Sequence, residues 1–306
     1  MVSSYGRWIS RGVSLRFDAD REGIERRLDE ICADYLSDLP VGIANAVRYG
    51  LKSPGKRVRP LLLRYAYRAA GGKEDATLLA CAPEVIHAYS LMHDDLPCMD
   101  DDDMRRGRPT VHKVYGSRTA ILGGVVMIPL AAKVVRNSAR SMRLSHETRA
   151  KLLETLLEAS GSRGMIGGQL RDLAGERLSL SLEDREEIHS AKTGALIVAS
   201  IMMGGIAAGA GEAQIAALER YGGAVGLAFQ IMDDVLDVTS TTSALGKTIG
   251  RDAALGKSTY PALLGVEGAR QRAQALIADG LDSLAQQKLL TQELSQVANF
   301  MLTRTS

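Results

Sequence analysis

Helical periodicity runs through this chain almost without interruption, and no stretch alternates apolar and polar residues in the way of a half-buried strand. That argues against sandwiches, barrels and βαβ folds and leaves an all-α bundle. Composition agrees, because only 4% of the 306 residues are aromatic and sheets draw on aromatic and β-branched side chains. The pattern predicts helices over about Asp18–Leu36, Arg57–Ala70, Asp75–Leu96, Ser117–Ala139, His146–Ser160, Leu182–Ala208, Gln214–Val238, Thr259–Ala278 and Asp282–Leu302. Gly71-Gly72, Gly116, Gly161, Gly175, Gly211 and Gly280 mark turns between them. No repeat, low-complexity tract or linker divides the pattern, so residues 18–306 read as one domain behind a flexible leader, 1–17. Gly194–Gly211 carries no charge over nearly the length of a membrane span, but its glycines and alanines make it only weakly apolar. It reads as a buried core helix, with no integral membrane span.

Hydrophobic residues at 45% and charged residues at 24% exclude disordered and collagen-like chains. Thirty-eight basic against 36 acidic residues give a net charge of +2, which excludes a protein that coats nucleic acid through a large positive excess. Any anionic partner must be met by a local patch. Cys32, Cys81 and Cys98 are odd in number and form no Cys-x-x-Cys pair, which points to a reducing, cytoplasmic compartment rather than to disulfides or zinc.

The densest chemical signal is the run from His93 to Arg108, where Asp94, Asp95, Asp100, Asp101, Asp102 and Asp103 precede Arg105, Arg106 and Arg108. Pro97 disfavours helical geometry in the residue before it, so the preceding helix should end close to Asp94 and Asp95. Carboxylates at a helix C-terminus face its negative end and cost up to about 1 kcal/mol each unless a cation offsets them. Clustered carboxylates are hard oxygen ligands suited to Mg²⁺, which typically joins one or two of them to substrate phosphates. A solvated acidic loop would explain this run alone. A second cluster, Asp233-Asp234-Val235-Leu236-Asp237, argues against that, because it interrupts an apolar helix and stacks Asp233 over Asp237 one turn apart. Within ten residues of Asp237 the single basic residue is Lys247. A bound metal is then the simplest source of compensating charge.

Basic elements complete a phosphate site. Gly55-Lys56-Arg57-Val58-Arg59 opens a helix, where free N–H groups favour anions. Lys192-Thr193, Gln230, Lys247, Arg251 and Lys257 are further donors. His87 shares a helix face with Asp94 and is suited to a diphosphate contact, whereas His93 reads as a packed histidine. Gly50-x4-Gly55-Lys56 is followed by Arg57 instead of Ser or Thr and no strand precedes it, so it is not a P-loop.

In this combination the chain resembles the short-chain trans-isoprenyl diphosphate synthases, farnesyl diphosphate synthases above all. The motifs are Asp94-Asp95-x4-Asp100 with Arg105-Arg106-Gly107, Asp233-Asp234-x-x-Asp237 after Phe229-Gln230, Gly55–Pro60, Gly167-Gly168-Gln169, Lys192-Thr193 and Lys257–Pro261. The resemblance covers about residues 20–300. It implies an all-α bundle around a deep central cavity, a homodimer, and two aspartate motifs facing each other across the cavity mouth. It further implies that Asp94, Asp100 and Asp233 ligate Mg²⁺, three ions per site with Mn²⁺ as the alternative, supported by Asp95, Asp234 and Asp237. Arg105, Lys192, Thr193, Gln230, Lys247 and Lys257 would contact the allylic diphosphate. Lys56, Arg59, His87 and Arg106 would bind isopentenyl diphosphate.

Product length would follow from cavity depth below the first motif. Tyr89, five residues before Asp94, and its neighbour Ser90 stand at that level, since each helical residue rises about 1.5 Å. A ring there resembles farnesyl synthases, and geranylgeranyl synthases more often carry a smaller or unbranched residue. Two other readings are a class I terpene cyclase, which usually lacks the Gly-Lys-Arg-x-Arg stretch and the Arg pair, and a regulatory subunit, which tends to lose one aspartate motif. This chain keeps all of them.

Overall fold

A computed structural model describes residues 11–175, 180–239 and 259–303, and they form a helical bundle. The helices are α1 (Arg11–Tyr35), α2 (Val41–Leu51), α3 (Val58–Ala69), α4 (Thr77–Asp94), α5 (Val111–Tyr115), α6 (Ser117–Ser141), α7 (His146–Ser160), α8 (Met165–Ala174), α9 (Leu182–His189), α10 (Ala195–Ala208), α11 (Glu212–Thr239), α12 (Tyr260–Gln286) and α13 (Gln292–Thr303). A two-residue hairpin, β1 (Met104–Arg105) with β2 (Arg108–Pro109), pairs Met104 with Pro109 and Arg105 with Arg108 after the first aspartate run. Strands this short leave no alternation for a sequence to display.

α10 sits at the centre, packed on α3, α4, α7 and α11. Its glycines set how close those neighbours come. A Cβ on Gly204 would lie 2.3 Å from the Leu63 carbonyl oxygen of α3, so the two backbones touch where a side chain would hold them apart. By length and composition two helices are apolar enough to cross a membrane, α6 and the run Leu182–Ala208. In the latter 67% of the most apolar window is buried inside the bundle, and in α6 44%.

The boundaries depart from the sequence pattern in instructive places. α1 starts at Arg11, inside the segment read as a leader, and the Phe17 ring packs on Tyr65 at 5.7 Å, which helps anchor the helix upstream of Asp18. Gly280 does not end a helix: α12 continues through it to Gln286. A Cβ there would come within 2.9 Å of the Ala224 Cβ of α11, so this glycine serves close packing. α2, α5 and α8 escape the pattern because they are short and, in α8, interrupted by Gly167-Gly168. The run Leu182–Ala208 is continuous but contains one wide π turn, Ser190–Gly194.

Candidate active site

The first cluster is shaped by the end of α4. Asp94 is its last residue and Asp95 its C-cap, as Pro97 requires. The loop then folds back, with the Asp100 amide donating to the Asp94 carbonyl at 2.9 Å and the Asp101 amide to Leu96 at 3.1 Å. The four-residue spacing thereby returns Asp100 to Asp94. Burial pushes the Asp94 carboxyl up to about 6; Lys192 pulls it down, and Asp100 and Asp95 add repulsion. Asp95 faces elsewhere, accepting from Arg105 Nε at 2.5 Å, while Arg105 also reaches Asp102 at 3.4 Å. Arg105 thus braces the loop. A carboxylate oxygen each of Asp101 and Asp103 and a ring nitrogen of His112 lie within 4.8 Å of one another. The sequence does not flag this third grouping, because the β1–β2 hairpin brings His112 back beside the aspartates.

The π turn carries Lys192 and Thr193, and π turns frequently mark functional positions. Two glycines hold it tightly. A Cβ on Gly168 would lie 2.3 Å from the Lys192 amide nitrogen, and one on Gly226 would lie 3.0 Å from the Gly194 Cα. Lys192 Nζ donates to Asp172 at 2.6 Å. Burial alone would lower the pKa of this ammonium, but Asp172, Asp94 and Asp100 together raise it. On the other side Thr193 Oγ1 donates to Gln230 Oε1 at 3.4 Å, Gln230 Nε2 donates to Asp234 Oδ1 at 3.4 Å, and the Tyr260 amide donates to Asp234 Oδ2 at 3.1 Å. One turn of backbone therefore links both aspartate clusters. Asp233 and Asp237 lie on α11 beside buried Asp234, both half-buried. Lys247 and Lys257 fall outside the described residues.

The basic pocket forms where α3 begins. Arg57, at φ 50°, caps the helix and turns inward to Glu84 at 2.9 Å, Glu25 at 2.7 Å and the carbonyls of Leu51 and Ser53. It organises the loop that presents its neighbours. Arg59 is half-buried with its Nε sealed from solvent and unpartnered, and burial lowers its pKa to about 10, with Arg106 adding to the fall and Glu84 opposing it. Arg106 donates to the Pro54 carbonyl at 2.7 Å. His87 is held well below the usual histidine range, first by burial and then by Arg59, Arg106 and Arg105. Arg59, Arg106 and His87 thus come together. Lys56 lies 5.3 Å from the centre of the Phe300 ring of α13.

Beneath Asp94, Tyr89 is 8% exposed and meets His93 edge to face at 4.8 Å. His93 Nε2 donates to the Ile121 carbonyl at 3.1 Å. Its ring fills the space a side chain at Gly124 would take, since a Cβ there would lie 2.1 Å from that nitrogen. Ser90 turns away, its hydroxyl donating to the His87 carbonyl at 2.9 Å. Asp172 and Glu84 carry no signal in the local sequence. Each acts through a partner distant along the chain.

A sequence model of the polyprenyl synthetase family matches residues 41–296, and the chain belongs to that family. It is 42% identical over 299 residues to farnesyl diphosphate synthase of Escherichia coli, an alignment covering 95% of this chain and 99% of that one. Over 241 residues it is 46% identical to a chloroplastic geranylgeranyl pyrophosphate synthase of Arabidopsis thaliana, covering 78% and 67%. Among solved structures, an FPP/GFPP synthase from Zymomonas mobilis superposes with a TM-score of 0.81 at 32% identity, covering 94% of this chain and 99% of that one. A geranyltransferase from Helicobacter pylori, complexed with magnesium and isoprenyl diphosphate, gives 0.78 at 32% identity, covering 94% and 96%.

Proposed function

We propose that the protein is a Mg²⁺-dependent trans-prenyltransferase that adds isopentenyl diphosphate head to tail to dimethylallyl and then geranyl diphosphate, yielding farnesyl diphosphate. The observation that carries this reading is the π turn, whose Lys192 acts on Asp94 and Asp100 and whose Thr193 reaches Asp234 through Gln230. An anionic group held at Lys192 meets acidic walls from two helices, an arrangement that makes sense with divalent cations between them.

The residues fit such ions. The donors are hard carboxylate oxygens, and the Asp94 carboxyl at about 6 is short of compensating positive charge. Asp94, Asp100 and Asp233 would hold Mg²⁺ with Asp95, Asp234 and Asp237 in support, and three ions, or Mn²⁺ in their place, belong to this proposal. Bound there, the metal supplies the positive charge that makes diphosphate a good leaving group. Lys192 grips the same diphosphate, with Lys247 and Lys257 joining from the segment outside the described residues. Arg59, Arg106, Lys56 and neutral His87 hold the second diphosphate, so the isopentenyl double bond is aimed at the allylic carbon. Thr193 and Gln230 present oxygens towards that carbon, and the departing diphosphate takes the proton that isopentenyl loses.

Tyr89, buttressed by His93, supports the fifteen-carbon product over the twenty-carbon one. The exposed apolar residues Ile121, Leu122 and Val125 on α6 support pairing of two copies along that helix. The three free cysteines support a cytoplasmic location. The test is incubation of the purified protein with isopentenyl and dimethylallyl diphosphates plus Mg²⁺, followed by chromatographic sizing. Farnesyl diphosphate is the expected product, and Tyr89→Met is expected to lengthen it. No metal-dependent elongation overturns the reading, and an unchanged length in the variant removes Tyr89 as the floor.

A further inference from the structure

Gln169 is 7% exposed, yet neither its Oε1 nor its Nε2 has a hydrogen-bond partner. Burying an amide unpaired costs about 1–3 kcal/mol, and a leucine or methionine would fill similar volume without that cost. The side chain therefore calls for an explanation other than packing.

Its position supplies one. Met165, Gly168, Gln169 and Asp172 form the buried inward stripe of α8. Gly168 rests against the Lys192 backbone, where a Cβ would lie 2.3 Å from the amide nitrogen. One turn later Asp172 accepts from Lys192 Nζ at 2.6 Å. Lys192 thus runs alongside this stripe from its backbone to its ammonium. Gln169 is buried on the same helix, one residue after Gly168 and about one turn of α8 before Asp172. A diphosphate gripped by the ammonium near Asp94 and Asp100 would lie beside this face.

We propose that Gln169 is a further catalytic residue, whose carboxamide oxygen faces the allylic carbons of the bound substrate. This rests on the prenyltransferase reading above. When the allylic C–O bond breaks, its electron pair leaves with diphosphate and positive charge spreads over the allylic carbons. An amide oxygen offers the negative end of its dipole to that charge and is a weaker nucleophile than a carboxylate, so it stabilises the cation without readily capturing it. Because the amide has no protein partner to give up, turning its oxygen to this contact breaks no hydrogen bond.

The experiment compares the wild type with Gln169→Leu and Gln169→Met in metal-dependent elongation, resolving kcat from KM for each diphosphate, and follows thermal unfolding of all three. Removing this dipole is expected to lower kcat by about 10²-fold. KM should stay within about threefold, and the unfolding temperature should hold or rise, because an unpaired buried amide is removed. A kcat within threefold of the wild type in either variant overturns the proposal. So does a kcat loss in both variants accompanied by a clear fall in unfolding temperature, which would mark a structural amide. A wild type that does not elongate defeats the prenyltransferase reading itself, whereas an active wild type with unaffected variants defeats only the role of Gln169.

Discussion

Asp94 and Arg59 lie on packed neighbours, α4 and α3, and burial pushes each towards its neutral form: the carboxyl up to about 6, the guanidinium down to about 10. Both belong to clusters of like charge built into the bundle, but the remedies differ. The acidic wall has Lys192 as a cation reaching two of its members, with Asp172 also drawing on that ammonium. The arginine pocket spends its main acid, Glu84, on Arg57 at 2.9 Å, leaving Arg59 and Arg106 close together. One wall is built for a cation and the other for an anion. A metal diphosphate and a second diphosphate meet both needs.

The largest effect that would break this comparison lies in the aspartates. Asp94→Asn and Asp233→Asn should each lower turnover by about 10³-fold, from the loss of charge stabilisation at the leaving group. Turnover within tenfold of the wild type for either, in a steady-state assay with saturating Mg²⁺, would mean that the two clusters do not share one task.

Within the basic pocket, arginines two residues apart should separate. Arg57→Ala leaves Glu84 buried without its partner and should cost about 3–5 kcal/mol in denaturant unfolding. Arg59→Ala removes a cation that burial and Arg106 disfavour, so stability should change by less than about 1 kcal/mol while KM for isopentenyl diphosphate rises about tenfold or more. Equal losses of stability in the two variants would erase the distinction between an organising and a binding arginine.

The smallest effect is the most specific to the acidic wall. A carboxyl raised in the folded state above its unfolded value of 3.8 costs stability once it ionises, so the cost is present above about pH 6 and absent below about pH 4. After allowance for partial exposure, the metal-free Asp94→Asn protein should be more stable than the wild type by about 1 kcal/mol at pH 8 and equal to it at pH 4. Added Mg²⁺ should raise the unfolding temperature of the wild type more than that of the variant. A metal-free variant less stable at pH 8 would show that Asp94 is already compensated by the protein.

Much of this was legible from residue order. The two aspartate motifs, Lys192-Thr193 and the Gly55–Pro60 stretch are local spacings, and the end of α4 follows from Pro97. What stayed hidden depends on contacts across the chain. The hairpin's turn draws Arg105 to Asp95 and Asp102, pairings that its place beside Arg106 does not display. Arg57 and Arg59 look alike in sequence, and the left-handed backbone at Arg57 sends one to Glu84. Gly280 reads as a stop until Ala224 is seen against it.

Residue order alone is enough for an all-helical chain with two acidic clusters and basic runs able to bind phosphate, because periodicity and residue chemistry are properties of short windows. Which carboxylate shares an ammonium and which an arginine, the π turn that joins the two clusters, and the burial of Gln169 without a partner emerge only in the folded chain. Those outcomes turn on glycine-permitted backbone contacts and on burial, and both arise only when helices distant in sequence are pressed together.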